Sequence, residues 1–178
     1  MTKRMVFSGF GGQGVLVLGE IVATIAMHKG KKVTWMPSYG PEMRGGTANC
    51  SVIISDRVIG SPIVLSNIDI LCAMNRPSIN KFLPKVKVGG LVLVNSSIVT
   101  EKLPPADVNA LEIDATNIAV KVGNPRVANM VMLAGFLKKT DLFTLDDITA
   151  VLEQRFSGSR SKDLIPLNIQ AIQAGMSQ

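Results

Sequence analysis

Residues 3–28 read KRMVFSGFGGQGVLVLGEIVATIAMH, which joins a short apolar run, a cluster of glycines and a long apolar segment. The run at 3–8 has the length and composition of a buried strand. In the segment 14–28, apolar residues recur at helical spacing, which predicts a helix. Gly30 is expected to end that helix, because glycine tolerates the left-handed backbone conformation common there. The sequence therefore predicts a strand, a glycine turn and a helix in succession.

Apolar runs alternate with helical patterns along the rest of the chain, which is typical of α/β folds. Further strands are predicted at 32–36, 49–54, 69–74, 90–95 and 110–114, with residues 57–60 pairing with the third strand as a hairpin. Helices are predicted at 77–82, 124–138, 144–156 and 166–174, the third opened by a capping box of Thr144 and Asp147. Residues 157–162 are expected to form a mobile loop. We expect one domain over residues 1–178, a Rossmann-like three-layer α/β/α sandwich with a mostly parallel sheet.

The composition excludes several classes of protein. The chain has 178 residues, 47% of them hydrophobic, and a net charge of +6, so it can bury a core and is not disordered. Its basic residues are scattered without interleaved aromatics, which argues against a nucleic-acid-binding module. The sequence has no apolar run long enough for a membrane helix or a signal peptide, so a cytoplasmic protein without a membrane partner is expected. Two cysteines and one histidine are too few for an iron–sulfur cluster and make a zinc or other metal site improbable.

The glycine-rich turn between the first strand and the first helix has the spacing G-x-G-x-x-G. Such a turn lets the backbone approach a ligand closely, and the free N–H groups of a helix N-terminus attract anions. Alternatively, the glycines serve only tight packing of strand against helix. The sequence leaves both interpretations open. The candidate binding residues in the turn are Gly9, Gly11, Gly12, Gln13 and Gly14.

Two common nucleotide sites fit this turn poorly. An ordinary NAD site has an acidic residue at the end of the second strand, and here that position reads Met36-Pro37-Ser38-Tyr39. A P-loop needs a lysine directly after its last glycine, where this chain has Val15. A free-standing dinucleotide-binding enzyme is therefore the weaker alternative.

The loop after the second strand is the other unusual segment. It should lie beside the glycine turn, at the sheet edge where α/β proteins bind ligands. Arg44 could hold a phosphate or carboxylate through two parallel hydrogen bonds, or pair with Glu42. Tyr, Met and Arg are also enriched at protein interfaces, so structural, interface and ligand roles stay open. The residues concerned are Ser38, Tyr39, Gly40, Pro41, Glu42, Met43 and Arg44.

A third polar group lies at the start of the helix predicted at 124–138. Asn124, Arg126 and Asn129 lie close together in the sequence. The interpretation favoured here is that they cap the helix, since asparagine is a common N-cap residue. The alternative is that they face the ligand edge of the sheet.

Residues 9–15 and 36–46 together resemble the gamma subunit of 2-oxoacid:ferredoxin oxidoreductases. The resemblance continues through residues 59–62, 75–78, 89–90, 123–130 and 168–175, so it covers nearly the whole chain as one gamma-type domain. The segment 38–49 is most similar to family members acting on 2-oxoglutarate, and next to those acting on branched-chain 2-oxoacids such as 2-oxoisovalerate. Family members that act on pyruvate more often have a different amino-acid sequence in this segment.

The resemblance implies a part in the CoA-dependent oxidative decarboxylation of a 2-oxoacid to an acyl-CoA, with electrons passed to ferredoxin. In that family, thiamine diphosphate, Mg²⁺ and the iron–sulfur clusters belong to alpha, beta and delta subunits. This chain would hold none of them, have no catalytic residue, be inactive alone and self-associate without its partners. We hypothesise that Gly11, Gly12, Gln13 and Arg44 help hold coenzyme A; pure interface loops are the alternative.

Overall fold

The computed structural model describes residues 1–40, 46–104, 106–158 and 163–177, except for the side chain of residue 39. The strands are Thr2–Phe10 (β1), Lys32–Tyr39 (β2), Thr47–Ser55 (β3), Ile68–Ala73 (β4), Val86–Asn95 (β5) and Val108–Ile113 (β6). The helices are Val15–His28 (α1), Arg76–Phe82 (α2), Ala115–Val122 (α3), Ala128–Lys139 (α4), Leu145–Arg155 (α5) and Leu164–Met176 (α6). Short 3₁₀ turns cover Leu83–Lys85 and Pro125–Val127. The loop predicted at 157–162 lies largely outside the described residues.

The six strands form one sheet in the order β2-β3-β1-β4-β5-β6. β1, β4, β5 and β6 are mutually parallel, whereas β3 is antiparallel to both β1 and β2. Five strands therefore run one way and β3 runs the other, which confirms the mostly parallel α/β fold. The hairpin predicted at 57–60 is wrong, because those residues form no strand and both edges of β3 are already paired.

Successive side chains along each strand point to opposite faces of the sheet, and the protein has a hydrophobic core on both faces. Along β1, Met5 and Phe7 face one side and Val6 the other, and all three are buried. The first face carries α1 and α3 to α6, and the rings of Phe7 and Phe136 stack there with centroids 5.6 Å apart. The second face carries α2 and the 3₁₀ turn after it. The result is a three-layer arrangement whose second helical layer is thin.

Element boundaries depart from the sequence in three informative places. β2 continues to Tyr39 because its last residues pair with β3, so Ser38 and Tyr39 belong to a strand rather than to the loop. α3 is absent from the sequence-based expectation, since its sequence ATNIAVKV is rich in β-branched residues with low helix propensity. The predicted helix at 124–138 begins instead as a 3₁₀ turn and becomes α4 only at Ala128. Gly30, at φ 72°, follows α1 in the left-handed conformation, as expected.

Among the described residues, no helix combines the length and the apolar character needed to cross a membrane. The longest helix, α1, has 14 residues, whereas a typical bilayer span needs about 20.

The capping box of α5, predicted from the sequence, is present and contributes stability that depends on pH. Thr144 and Asp147 exchange backbone-to-side-chain hydrogen bonds of 2.8 and 3.2 Å, and Lys29 Nζ lies 2.8 Å from the same carboxylate. Partial burial opposes ionisation, but hydrogen bonds from Lys29 and Thr144 outweigh it and hold the pKa of Asp147 below its ordinary value. Asp147→Ala is expected to cost about 1 kcal/mol of unfolding free energy at neutral pH.

Because the pKa of Asp147 is lower in the folded state, its contribution is full above the ordinary carboxyl pKa and is lost as the pH falls through the folded value. Thermal unfolding of the wild type and the variant across that pH range measures this. Asp146→Ala is the control, since Asp146 lies in the same first turn but outside the capping box. A stability gap for Asp147→Ala that persists undiminished into acid would contradict the assignment.

Candidate functional site

One edge of the sheet collects most of the polar features that the sequence predicts. The parallel strands β1, β4, β5 and β6 all end at this edge, and so does β2, since both β1 and β2 are antiparallel to β3. The N-termini of α1, α2 and α4 start from the same edge, because each follows one of these strands or the loop that returns to it. Ligands in open α/β sheets bind outside the carboxyl ends of the strands. This edge is therefore the candidate site.

The glycine turn at this edge is held in shape by the side chain of Gln13. Its Oε1 accepts from the backbone N of Phe10 at 2.7 Å and from Asn75 Nδ2 at 3.4 Å. Its Nε2 donates to the carbonyl of Met74 at 3.3 Å. Both ends of the Gln13 amide are thus engaged inside the protein, which ties β1 to the end of β4. Gln13 therefore holds the turn in shape.

Packing against α4 accounts for one glycine of the turn. Gly14 has φ 71°, and a Cβ placed on it would come within 2.4 Å of Asn129 Nδ2. That amide donates to the Gly14 carbonyl at 3.2 Å and closes the gap between α1 and α4. Gly12, at φ 98°, instead has open space around the position of a Cβ. The packing interpretation therefore holds at Gly14, whereas Gly12 is accessible to a ligand.

Two cavities flank Gly12. The first, of about 330 Å³, lies between the turn, the first turn of α1 and the start of β3, and its lining is largely apolar. The second, of about 210 Å³, is bounded by Gly12, Gln13, Thr116 and Arg126, together with the neighbouring Ile98. An extended molecule with both an apolar portion and an anionic group could occupy the two cavities at once.

The polar group at residues 124–129 fulfils both roles that the sequence left open. Asn124 caps the 3₁₀ turn, since its side chain accepts from the backbone N of Arg126 at 3.0 Å. Asn129 bridges to Gly14, and Arg126 lines the second cavity. Within the described residues the exposed Arg126 guanidinium has no ion pair, so it is available to an anion. In the sequence, Arg126 directly follows Asn124-Pro125, a pair typical of a helix start. Helix capping alone accounts for that pattern, so the sequence did not mark Arg126 as a ligand residue.

A buried polar layer lies directly beneath the turn. Ser78 bonds to Ser8 at 2.8 Å and to Asn75 at 2.7 Å, and Asn75 in turn reaches Gln13. Asn95, fully buried, donates to Thr116 at 3.0 Å, while its own Oδ1 is without a partner among the described residues. The hydrogen bonds that join Ser8, Ser78, Asn75 and Gln13 hold these side chains in place and so fix the geometry of the edge.

The loop predicted beside the turn does emerge there. The backbone N of Gly11 donates to the carbonyl of Gly46 at 2.9 Å, and Phe10 pairs with Thr47 at the start of β3. Ser38 and Tyr39 close β2 opposite Asn49 and Ala48 of β3. Gly40 is exposed.

The residues that carried the ligand and interface hypotheses for this loop lie outside the described part of the chain. They are Pro41, Glu42, Met43 and Arg44.

The strand order explains why an ordinary NAD site is excluded. In such a site the second strand lies next to the first, so that its terminal acid reaches the ribose. Here β3 lies between β1 and β2. Two strand spacings, about 10 Å, therefore separate the end of β2 from the glycine turn. The missing acidic residue at the end of β2 and the intervening strand β3 both argue against an ordinary NAD site.

Thiol and metal chemistry find no support at this edge. Cys50 and Cys72 are buried and free. Burial raises the pKa of the Cys50 thiol to about 12 and raises that of Cys72 further, so neither thiol ionises at neutral pH. Among the described residues, no three His, Cys, Asp or Glu side chains come close enough to hold a metal ion. The two cysteines behave as small core residues.

The chain is similar in sequence to a known protein family and to several characterised proteins. Residues 4–178 match the family described as pyruvate ferredoxin/flavodoxin oxidoreductase. The chain is 36% identical to the 2-oxoglutarate synthase subunit KorC of Methanocaldococcus jannaschii, over 93% of this chain and 90% of that protein. It is 38% identical to the ketoisovalerate oxidoreductase subunit VorA of Methanothermobacter thermautotrophicus. That match covers 97% of this chain but only 35% of the relative, so the chain spans about a third of the VorA length.

Two solved structures share the fold. The gamma subunit of a keto/oxoacid ferredoxin oxidoreductase from Geobacter sulfurreducens superposes with a TM-score of 0.82 at 33% identity, covering 98% of this chain and 96% of that one. The second structure is the 2-oxoglutarate:ferredoxin oxidoreductase of Magnetococcus marinus, solved with 2-oxoglutarate, coenzyme A and succinyl-CoA bound. It superposes with a TM-score of 0.86 at 21% identity. This chain covers 30% of that larger chain, and 99% of its own length takes part. The second likeness is one of fold.

Proposed function

Because this chain belongs to the pyruvate ferredoxin/flavodoxin oxidoreductase family, we propose that it is the gamma-type subunit of a 2-oxoacid:ferredoxin oxidoreductase. The observation that carries the proposal is the match to KorC, which extends over nine-tenths of both chains. The reaction would be the CoA-dependent oxidative decarboxylation of a 2-oxoacid to an acyl-CoA and carbon dioxide, with ferredoxin as electron acceptor. The domain formed by residues 1–178 would take part in it as a non-redox subunit.

The proposed substrate is 2-oxoglutarate, with 2-oxoisovalerate as the second candidate. The similarities to KorC and VorA, at 36% and 38% identity, support these two over pyruvate without separating them. The amino-acid sequence of residues 38–49 favours 2-oxoglutarate as the substrate.

The proposed partners are alpha, beta and delta subunits, in a cytoplasmic complex that reduces ferredoxin. Thiamine diphosphate, Mg²⁺ and iron–sulfur clusters would be held by those subunits. The described part of this chain does not fit a cluster, because its two cysteines, Cys50 and Cys72, are both buried in the core.

Within the complex we assign this chain a role in holding coenzyme A at the carboxyl edge. The open backbone at Gly12, the N-terminus of α1 and the Arg126 guanidinium all border the second cavity or the turn beside it. Backbone N–H groups and an arginine together suit phosphate groups. Gly11, Gln13 and Arg44 belong to the same proposal. Gly9 and Gly14 allow close packing, since a Cβ on Gly9 would lie 2.6 Å from Gln13 Oε1 and one on Gly14 2.4 Å from Asn129 Nδ2.

The subunit role is tested by recovering the complex from native extract with this chain as bait. Co-purification of larger subunits that contain thiamine diphosphate and iron, with 2-oxoacid-dependent viologen reduction, is the expected result. Rates with 2-oxoglutarate, 2-oxoisovalerate and pyruvate then rank the substrates. Recovery of the chain alone, without partners or activity, would refute the subunit role.

The coenzyme A role is tested by Arg126→Ala and Arg44→Ala in the assembled complex. Each is expected to raise the KM for coenzyme A about tenfold, since one charge-assisted phosphate contact contributes about 1.5 kcal/mol. The KM for the 2-oxoacid should not change. Arg57→Ala is the matched control, because Arg57 is exposed beyond the far end of β3. An intact complex with unchanged KM for coenzyme A in both variants would leave these loops as interface only.

A further inference from the structure

A wide cavity lies at the opposite edge of the sheet from the glycine turn. It has a volume of about 560 Å³ and opens where β1, β4, β5 and β6 begin and α4 ends. Its size falls within the range of about 300–1,000 Å³ typical of small-molecule sites. The residues that give it its chemistry are Lys3, Asp69, Lys87, Asn109, Lys139 and Thr140. We name it the amino-edge cleft, and we propose that it binds a phosphate-bearing anion.

The charge of the cleft is organised around a buried carboxylate. Asp69 is only 8% exposed; its Oδ2 accepts from the backbone N of Arg4 at 2.7 Å, and its Oδ1 lies 2.6 Å from Lys87 Nζ. These contacts fix Asp69 and use it to hold one lysine, Lys87, at the cleft. Asp69 therefore has little capacity left to neutralise other cations.

Two further lysines reach the cleft from different elements. Lys3 comes from β1 and Lys139 from the last residue of α4. Within the described ranges neither has an ion pair. Three ammonium groups around one carboxylate leave a surplus of two positive charges. Their mutual repulsion is relieved most effectively by a ligand with at least two negative charges.

The types of side chain favour phosphate within that class. An ammonium group is a compact, strongly hydrated point charge, and lysine is a common ligand of phosphate. Asn109 donates through Nδ2 to the carbonyl of Gly89 at 2.9 Å and keeps a second N–H for a phosphate oxygen. The seven residue steps along β1 from Lys3 to Phe10 separate this cleft from the glycine turn by roughly 23 Å. The inference is therefore independent of the proposed coenzyme A contact.

The test is calorimetric titration of the full 178-residue chain with inorganic pyrophosphate. We expect saturable binding that weakens at high ionic strength, as charge-based binding must. Lys3→Gln and Lys139→Gln should each weaken it about five- to tenfold. Lys121→Gln removes the same charge from α3, away from the cleft, and should leave binding within twofold. Absence of saturable binding, or an equal loss in Lys121→Gln, would overturn the proposal.

One further variant is expected to strengthen binding, and other ligands distinguish between classes of anion. Asp69→Asn removes the one carboxylate among the lining residues and raises the surplus from two to three positive charges, so pyrophosphate should bind more tightly, whereas a weaker or unchanged affinity in a folded variant would count against the cleft. Pyrophosphate binding that is lost in Arg126→Ala but kept in Lys3→Gln and Lys139→Gln would place the binding at the glycine turn and overturn the proposal. ADP binding more tightly than pyrophosphate supports a nucleotide, and the reverse supports a free phosphate. Succinate binding as tightly as either would overturn the phosphate assignment.

Discussion

Gly14→Ala is expected to lower the free energy of unfolding by about 2–5 kcal/mol and to impair the candidate site with it. Two costs combine. The backbone at φ 71° is left-handed, which costs an ordinary residue roughly 1–2 kcal/mol. The new Cβ also falls 2.4 Å from Asn129 Nδ2, so Asn129 must swing away and give up its bond to the Gly14 carbonyl. The Gly14 carbonyl keeps its bond from the backbone N of Leu18, but the buried Asn129 amide loses its partner, which adds about 1–3 kcal/mol.

The chain supplies a matched control for the backbone cost. Gly30 has φ 72° with open space around the position of a Cβ, so Gly30→Ala carries the conformational cost alone. Denaturant unfolding of both variants therefore isolates the contribution of the Asn129 contact. In the double variant Gly14→Ala/Asn129→Ala the two costs should be less than additive, because both remove the same bond. Equal losses for Gly14→Ala and Gly30→Ala would show that the contact between α1 and α4 contributes nothing.

The contrast between these two glycines also marks how far the sequence could lead. The G-x-G-x-x-G spacing correctly predicts a strand–turn–helix at the ligand edge of the sheet. It cannot tell a glycine that admits a ligand from one that admits a neighbouring helix. That distinction depends on Asn129, which is 115 residues away in the chain and meets Gly14 only in the folded structure.

Topology shows the same limit. The apolar pattern of residues 49–54 predicts a strand but carries no information on its direction or neighbours. The antiparallel insertion of β3 between β1 and β2 follows from long-range pairing on both of its edges. That insertion moves the end of β2 away from the turn and excludes the ordinary NAD geometry. Similarly, Arg126 becomes a candidate ligand only because its 3₁₀ turn returns the chain to the cavity beside Gly12.

Asn75→Ala is expected to cost about 2–4 kcal/mol, although it removes only one small side chain. Asn75 is 1% exposed and caps α2, where its Oδ1 accepts from the backbone N of Ser78 at 3.0 Å and from its hydroxyl at 2.7 Å. Loss of an N-cap costs about 1 kcal/mol, and the Ser78 N–H left unpaired in a buried position adds about 1–3 kcal/mol. Its amide also donates to Gln13, so the support of the glycine turn weakens at the same time.

Asn124→Ala is the control that separates burial from capping. Asn124 caps the 3₁₀ turn with a bond of the same 3.0 Å length, but it is only partly buried. Water can replace its side chain, so a loss of about 1 kcal/mol or less is expected. Unfolding of both variants gives the difference, and hydrogen exchange of the amides of residues 10–14 reports on the turn. Asn75→Ala should speed that exchange and Asn124→Ala should not, because only Asn75 bonds to Gln13. Equal exchange in both variants would mean that the turn keeps its shape without the buried polar layer, leaving Gln13 and its bonds to Phe10 and Met74 as sufficient support.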